Sequence, residues 1–177
     1  MSSPFTSSTD IPDAPSSLAA LVTFVDTLES RVRQQGSGAV LLSPRGTYSF
    51  SETAQHAAQS IGYSMTGYPH LAPVSLRVTV GRAVKHLFLR RGAMRHNLSA
   101  PVSGAPELDP AMPDLAAVAV LRTAVNALVA FTGDLQPHPT YGRCTKAQVV
   151  NLQTQHLREH LPGADAPAAP QPATPAR

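Results

Sequence analysis

Apolar residues recur along this chain at alternating steps of three and four, the spacing that places side chains on one face of an α-helix. Four segments show this pattern over several turns. They are residues 16–35, 49–66, 114–131 and 145–161. The first begins at Ser16 or Ser17, either of which can cap a helix. Because their apolar positions are mostly Leu, Val and Ala, the sequence predicts an all-α fold with four principal helices.

Capping residues mark where the other three predicted helices begin. Ser49 and Glu52 have the spacing of a capping box before the second helix, and Thr145 and Gln148 have it before the fourth. Asp114 is the predicted cap of the third helix, which is apolar on nearly every side. We therefore expect the third helix to lie deepest in the core.

The region between the second and third helices is less regular. Residues 76–89 are predicted as a short amphipathic helix, and residues 97–113 as a long crossover. Six cations occur in this region without an acid between them: Arg77, Arg82, Lys85, Arg90, Arg91 and Arg95. This basic segment, residues 77–95, could bind phosphate or an anionic membrane surface. The interleaved apolar residues favour the alternative, an extra helix packed on the bundle with a solvated basic rim.

Composition limits the class of protein. The 177 residues fit one domain, which we place at residues 16–161. Residues 1–15 and 162–177 are too rich in Pro, Ser, Thr and Ala to bury a core, so we expect them to be disordered. Trp is absent and Phe and Tyr are few, so nucleic-acid binding is not expected. With one cysteine, no secretory signal and no transmembrane segment, the predicted location is cytoplasmic.

Two histidines near the end of the fourth helix are the strongest sign of chemistry. His156 and His160 are four residues apart and share a stripe with Val149 and Leu152, which must face the interior. Neutral imidazoles at this spacing can bind one divalent ion, and His56 on the second helix is a candidate third ligand. The simpler alternative is a helix end whose last histidine complements the helix dipole. Spacing alone does not choose between them.

Other polar residues could belong to the same site. One face of the second helix carries His56, Gln59, Ser60, Tyr63 and Gly67. That face is either solvated or turned towards a cavity, and periodicity favours the solvated alternative. His138 lies in a Pro-His-Pro loop before the fourth helix, where it is a turn residue or reaches into the site. The remaining histidines, His70, His86 and His96, have no ligand spacing and are expected at the surface.

Four motifs occur in order along the chain: residues 56–69 (HAAQSIGYSMTGYP), 89–92 (LRRG), 138–143 (HPTYGR) and 155–158 (QHLR). Together they resemble the DinB/YfiT-like superfamily, specifically its domain of unknown function 1569 branch. The resemblance covers roughly residues 56–161. It implies a DinB-like four-helix bundle in which one histidine of the second helix and two of the last, four residues apart, bind a divalent metal.

One of the ligands that the resemblance implies is missing. His56 and His156 match two of them, whereas the third falls at position 152, which is Leu152. His160 could replace it only if the metal moved about one helical turn along the fourth helix, which we expect to separate it from His56. The resemblance therefore predicts a weak or lost site for Zn, Ni or Fe, with His56, His156 and His160 as candidate ligands.

Three functions remain open at this point. The leading hypothesis is a small-molecule pocket lined by His56, Tyr63, His138 and His156, with no assigned catalytic residue. The second is a metal-dependent enzyme of the thiol-transferase type, for which a low-molecular-weight thiol is the implied partner. The third is a peripheral interaction module that works through residues 77–95. Homodimer formation is left open.

Overall fold

The computed structural model describes residues 17–164. The disorder predicted for residues 1–15 lies outside this range, as does that predicted for residues 165–177. Residues 162–164, which the sequence predicts as the start of the disordered tail, form a turn after the last helix. Ala164 is fully buried against the core, so the ordered chain continues slightly past residue 161.

The described residues are helical and contain no strand, which confirms the all-α prediction. In chain order the helices are α1 (Leu18–Gln35), α2 (Phe50–Thr66), α3 (Val74–Val78), α4 (Val80–Arg91), α5 (Asp114–Ala130) and α6 (Lys146–His160). The four long predicted helices correspond to α1, α2, α5 and α6. The short basic helix is divided into α3 and α4, because Thr79 leaves helical backbone geometry between them. None of the helices within residues 17–164 is both long and apolar enough to cross a bilayer.

Local chemistry explains where the long helices begin. The Ser17 side chain accepts a hydrogen bond from the backbone N–H of Ala20 at 3.1 Å, which makes Ser17 the first cap. Both predicted capping boxes, before α2 and before α6, are present. The prediction for α5 is wrong by one residue, because Pro113 is the cap and Asp114 lies in the first turn. There its carboxylate can still interact favourably with the positive end of the helix dipole.

The four long helices pack in pairs. α2 packs against α5 and α6, and α1 packs against the same two helices. The contact between α2 and α5 is the most extensive. α2 buries small residues, among them Ala54 and Ala57, which permit a close neighbouring helix. α4 lies outside these helices and contacts α6. The register between α2 and α6 decides which of their polar residues meet.

The expectation that the third long helix lies deepest is wrong. α5 buries one stripe, which includes Leu121 and Leu128, but Leu115, Val120 and Val129 are each at least 40% exposed. Because α5 is covered by α1 and α2 only on its inner side, its apolar outer face remains open among the described residues. An apolar sequence therefore does not by itself place a helix at the centre.

The crossover between α4 and α5 is held by side chains of α2. The Gln55 side chain donates to the carbonyl of Asp109 at 2.8 Å and accepts from its backbone N–H at 2.9 Å. Ser51 donates to the carbonyl of Met112 at 2.8 Å, and Gln59 donates to that of Pro106 at 3.0 Å. Polar residues of α2 thus satisfy crossover backbone groups, so the chain from residue 92 to 113 has a defined path over the bundle.

Candidate metal centre

Three buried histidines from two helices form a polar cluster in the described part of the chain. His56 comes from α2, and His156 and His160 come from α6. One ring nitrogen of each lies within 4.8 Å of the others. The three side chains are 4%, 9% and 4% exposed, respectively, so they face one another away from water. We call these three residues the histidine triad.

The position of the triad differs from the one that the resemblance implies. The ring centre of His56 lies 5.0 Å from that of His156 and 5.2 Å from that of His160, so His56 is equally close to both. The expectation that a site at His160 would be separated from His56 is therefore wrong. Leu152 lies one helical turn before His156, is 3% exposed and lines a cavity that His56 and His156 also line. The helix register thus pairs His56 with the last turn of α6.

The ring nitrogens of the triad are available to a cation. Nδ1 of His56, Nε2 of His156 and Nε2 of His160 are buried and have no hydrogen-bond partner. Burial, reinforced by the neighbouring histidines, lowers the pKa of His56 to about 4, that of His160 to about 3, and that of His156 well below its usual value. All three rings are consequently neutral at pH 7 and can offer lone pairs. This donor set fits a divalent metal ion.

Acid should destabilise the metal-free protein through these histidines. Their pKa values are lower in the folded chain than the ordinary 6.5, so their contribution is complete above pH 6.5 and is lost as the pH falls towards 4. For His56 alone the change corresponds to about 3 kcal/mol of unfolding free energy. Urea unfolding in the presence of a chelator at pH 7.5, 6.5, 5.5 and 4.5 measures this loss of unfolding free energy. Unchanged stability down to pH 4.5 would contradict the neutral triad.

A fourth histidine lies beside the triad and was missed by the sequence analysis. The ring centre of His96 lies 4.8 Å from that of His156 and 5.6 Å from that of His160. Its Nδ1 donates to Oε2 of Glu159 at 2.6 Å, and the backbone N–H of His96 donates to Oε1 of Glu159 at 3.1 Å. Arg45 binds the same carboxylate at 2.8 Å and donates to the carbonyl of His96 at 2.9 Å.

This arrangement places a proton on Nδ1 of His96. Because Glu159 accepts from Nδ1, Nε2 is the ring nitrogen left for other partners. The side chain of Glu159 is only 7% exposed, so its bonds to His96 and Arg45 are well shielded from solvent. His96 comes from the aperiodic segment after α4, and no spacing in the sequence relates it to residues on α6. The prediction that it is an unassigned surface residue is therefore incomplete, since it is half-buried beside the triad.

A cavity of about 260 Å³ adjoins the triad. Its lining includes His56, His96, His138, His156, Tyr68 and Gln153. Nδ1 of His138 accepts the backbone N–H groups of Thr140 at 3.1 Å and Tyr141 at 3.2 Å, so the proton of its neutral ring is on Nε2. Burial lowers the pKa of His138 to about 3, which keeps the ring neutral. His138 is thus both a turn residue and a cavity residue.

The other predicted pocket residue lies outside the cavity lining. The ring of Tyr63 packs 5.9 Å from that of Tyr68, and it is Tyr68 that lines the cavity. Tyr68 donates to the carbonyl of Ser60 at 2.8 Å, and Gln153 donates to the hydroxyl of Ser60 at 3.0 Å. The side-chain oxygen of Gln153 has no partner, so the cavity wall contains a buried acceptor. The polar face of α2 is accordingly turned towards the cavity at Ser60 and His56.

Comparison with known proteins identifies a family but no activity. A family model described as "Protein of unknown function (DUF1569)" matches residues 16–164. No curated protein matches the chain, and no solved structure matches it. The matched region includes α1 to α6, and with them the triad, His96 and the cavity.

Proposed function

The chain belongs to the DUF1569 family of proteins of unknown function, and from the histidine triad we propose that it binds one divalent metal ion and a small molecule beside it. The ligands are His56, His156 and His160. The single observation that carries this proposal is that one ring nitrogen of each of these three buried histidines lies within 4.8 Å of the others, while each ring also has a buried nitrogen with no hydrogen-bond partner. We further propose that α1, α2, α5 and α6 form a DinB-like four-helix bundle around this site.

A bound cation would resolve an unfavourable feature of the triad. Each buried nitrogen without a partner costs roughly 1–3 kcal/mol of desolvation. Three such atoms from different turns of two helices are a large concentration for one site, since native proteins leave few buried polar atoms unsatisfied. Three imidazole nitrogens are a known donor set for Zn²⁺, and three protein ligands leave a fourth coordination position for water or a substrate. Zn²⁺ is therefore the proposed ion, with Ni²⁺ and Fe²⁺ as alternatives.

The cavity supplies the binding groups for the small molecule. His138 presents an N–H donor, the side-chain oxygen of Gln153 presents an acceptor, and His96 lines the same cavity. When bound, the metal ion would supply positive charge that lowers the pKa of a coordinated water or thiol. A volume of about 260 Å³ is at the lower limit of ligand pockets, so a molecule of a few non-hydrogen atoms, or one end of a larger one, would fit.

This proposal gives Leu152 a different role from the one that the resemblance implies. In the degenerate site that the resemblance implies, Leu152 replaces a lost ligand. Since His160 supplies the third imidazole, Leu152 becomes an apolar wall of the cavity, and no ligand is missing. The two hypotheses make opposite predictions about metal content, which allows a direct test.

Metal content and cobalt substitution test the proposal. Protein purified without a histidine tag should contain close to one divalent ion per chain by mass spectrometry. Metal-free protein titrated with Co²⁺ should reach saturation at one equivalent, with the intense visible absorption of a four-coordinate ion. A wild-type protein without affinity for either ion would contradict the proposal. If the Leu152→His variant then gained one ion, the degenerate site would be the correct account.

A further inference from the structure

The exposed large apolar residues of the described chain are concentrated around α3 and α4. Of the ten such residues within 17–164, six lie between positions 71 and 87: Leu71, Val74, Leu76, Val78, Val80 and Leu87. Val74, Val78 and Val80 are each about 60% exposed. α3 and α4 pack on each other, and of the long helices α4 contacts α6. Isolated exposed apolar residues are ordinary, whereas six within one short stretch of the chain indicate an interaction surface.

The same region is positively charged, and it contains no acidic residue that could neutralise this charge. Residues 53–106 contain no Asp or Glu. Arg82, Arg90, Arg91 and Arg95 are exposed, and within residues 17–164 their side chains form no ion pair or hydrogen bond. We call the six apolar residues and these four arginines the basic–apolar surface. Lys85 differs, because it is buried and donates to the carbonyl of Arg143 at 2.5 Å.

A cationic cleft lies at the edge of this surface. Its volume is about 380 Å³, and it is lined by Arg77, Arg82, Lys85 and Arg143 next to Val78. No acidic residue lines the cleft. Guanidinium groups bind phosphate oxygens through paired hydrogen bonds, so the cleft has the chemistry of a phosphate headgroup site. Val78 lines the same cleft, so an aliphatic side chain lies next to the cations, as binding at the boundary of an apolar phase requires.

From these observations we propose that the basic–apolar surface binds the surface of an anionic lipid bilayer, with lipid phosphate in the Arg77–Arg82–Arg143 cleft. A second copy of this chain is a poorer occupant, because a two-fold interface would bring the unpaired arginines against one another. The combination of exposed aliphatic residues and clustered arginines matches the requirements of peripheral membrane binding, in which apolar insertion and attraction to anionic lipids act together. This inference does not depend on the metal.

Vesicle sedimentation tests the proposal with the full chain. The probes are vesicles of phosphatidylcholine alone and of phosphatidylcholine with an equal amount of phosphatidylglycerol. We expect binding only to the mixed vesicles, and at least tenfold weaker binding in 0.5 M salt than in 0.05 M salt, because the arginines act through screened charge. Equal binding to both kinds of vesicle, or binding to neither, would overturn the proposal.

Matched variants distinguish binding through this surface from non-specific electrostatic or hydrophobic binding. Arg82→Glu should weaken binding to mixed vesicles at least tenfold. Arg33→Glu makes the same charge change at an exposed position on α1 and should not weaken it. Leu87→Asp should weaken it at least fivefold, whereas Leu115→Asp should not, although the two leucines are 41% and 40% exposed. Circular dichroism on each variant verifies that it is folded. If both members of a pair bind the mixed vesicles equally well, the assignment to this surface is wrong. Soluble polyglutamate serves as a polyanion without lipid: if the protein binds it but not the mixed vesicles, the membrane assignment is wrong.

Discussion

The His156→Ala variant is expected to lose the metal ion, with an affinity at least roughly a hundredfold below that of the wild type. The ring centre of His156 lies 5.0 Å from that of His56 and 4.8 Å from that of His160. Without it, two nitrogens remain on different helices and cannot define a closed donor set. His56→Ala and His160→Ala should have the same effect, because each removes one of three ligands. Competition for the ion with a chromogenic chelator measures all three affinities.

The matched control for this series is His86→Ala. His86 is exposed on α4, so the same substitution there should leave one ion per chain with wild-type affinity. Heating provides a second readout, since a ligand that binds only the folded chain at a hundred times its Kd adds about 2.7 kcal/mol of stability. Added Zn²⁺ should therefore raise the melting temperature of the wild type and of His86→Ala but not that of the triad variants. Retention of a full equivalent of tightly bound metal by His156→Ala would show that the ion lies elsewhere.

The second large effect is expected at a glycine that lets two segments touch. A Cβ added at Gly81 would lie 1.9 Å from the carbonyl oxygen of Thr140 and 3.2 Å from that of Leu76. Both contacts are with backbone, so a side-chain rotation cannot relieve them. We expect Gly81→Ala to destabilise the protein by about 3 kcal/mol, as severe overpacking does. Because Thr140 follows His138 in the cavity loop, the substitution should also displace a cavity wall.

A second glycine supplies the control for this prediction. Gly62 lies inside α2, and a Cβ there would have no neighbour within 4 Å. Gly62→Ala should therefore stabilise the protein by about 0.5–1 kcal/mol, because alanine is the better helix former and restricts the unfolded chain. Thermal unfolding of the two variants should shift in opposite directions. Similar stabilities for the two variants would contradict the close approach of α4 to the Thr140 loop.

Leu152 and His160 show which part of the site the resemblance to the DinB-like superfamily could predict. The resemblance identified the two helices that contribute histidines, and both His56 and His156 belong to the triad. It implied the pair at positions 152 and 156, whereas the buried cluster contains 156 and 160. Both pairs have the same spacing along α6, so periodicity cannot distinguish them. The choice depends on how far α6 is shifted along α2, which is a long-range property of their packing.

His96 illustrates a different limit. Its importance comes from Glu159, which is 63 residues away and binds both its ring and its backbone N–H. The segment around His96 has no helical or strand periodicity, so no local pattern relates the two residues. Only the path of the crossover, held by polar side chains of α2, brings the region near α6. A lone histidine in such a segment is most often a surface residue, so the sequence alone predicts that His96 is exposed.

The sequence by itself determined the elements that depend on neighbours three or four positions apart. The long helices, the two capping boxes and the buried stripes follow from such local relations, and the structure confirms them. Tertiary structure alone decided that His56 meets His156 and His160, that His96 joins them and that one face of α5 stays exposed. These outcomes depend on the register and separation of distant helices. Side-chain volumes and hydrogen bonds across the interfaces set that register, and no single segment contains the information.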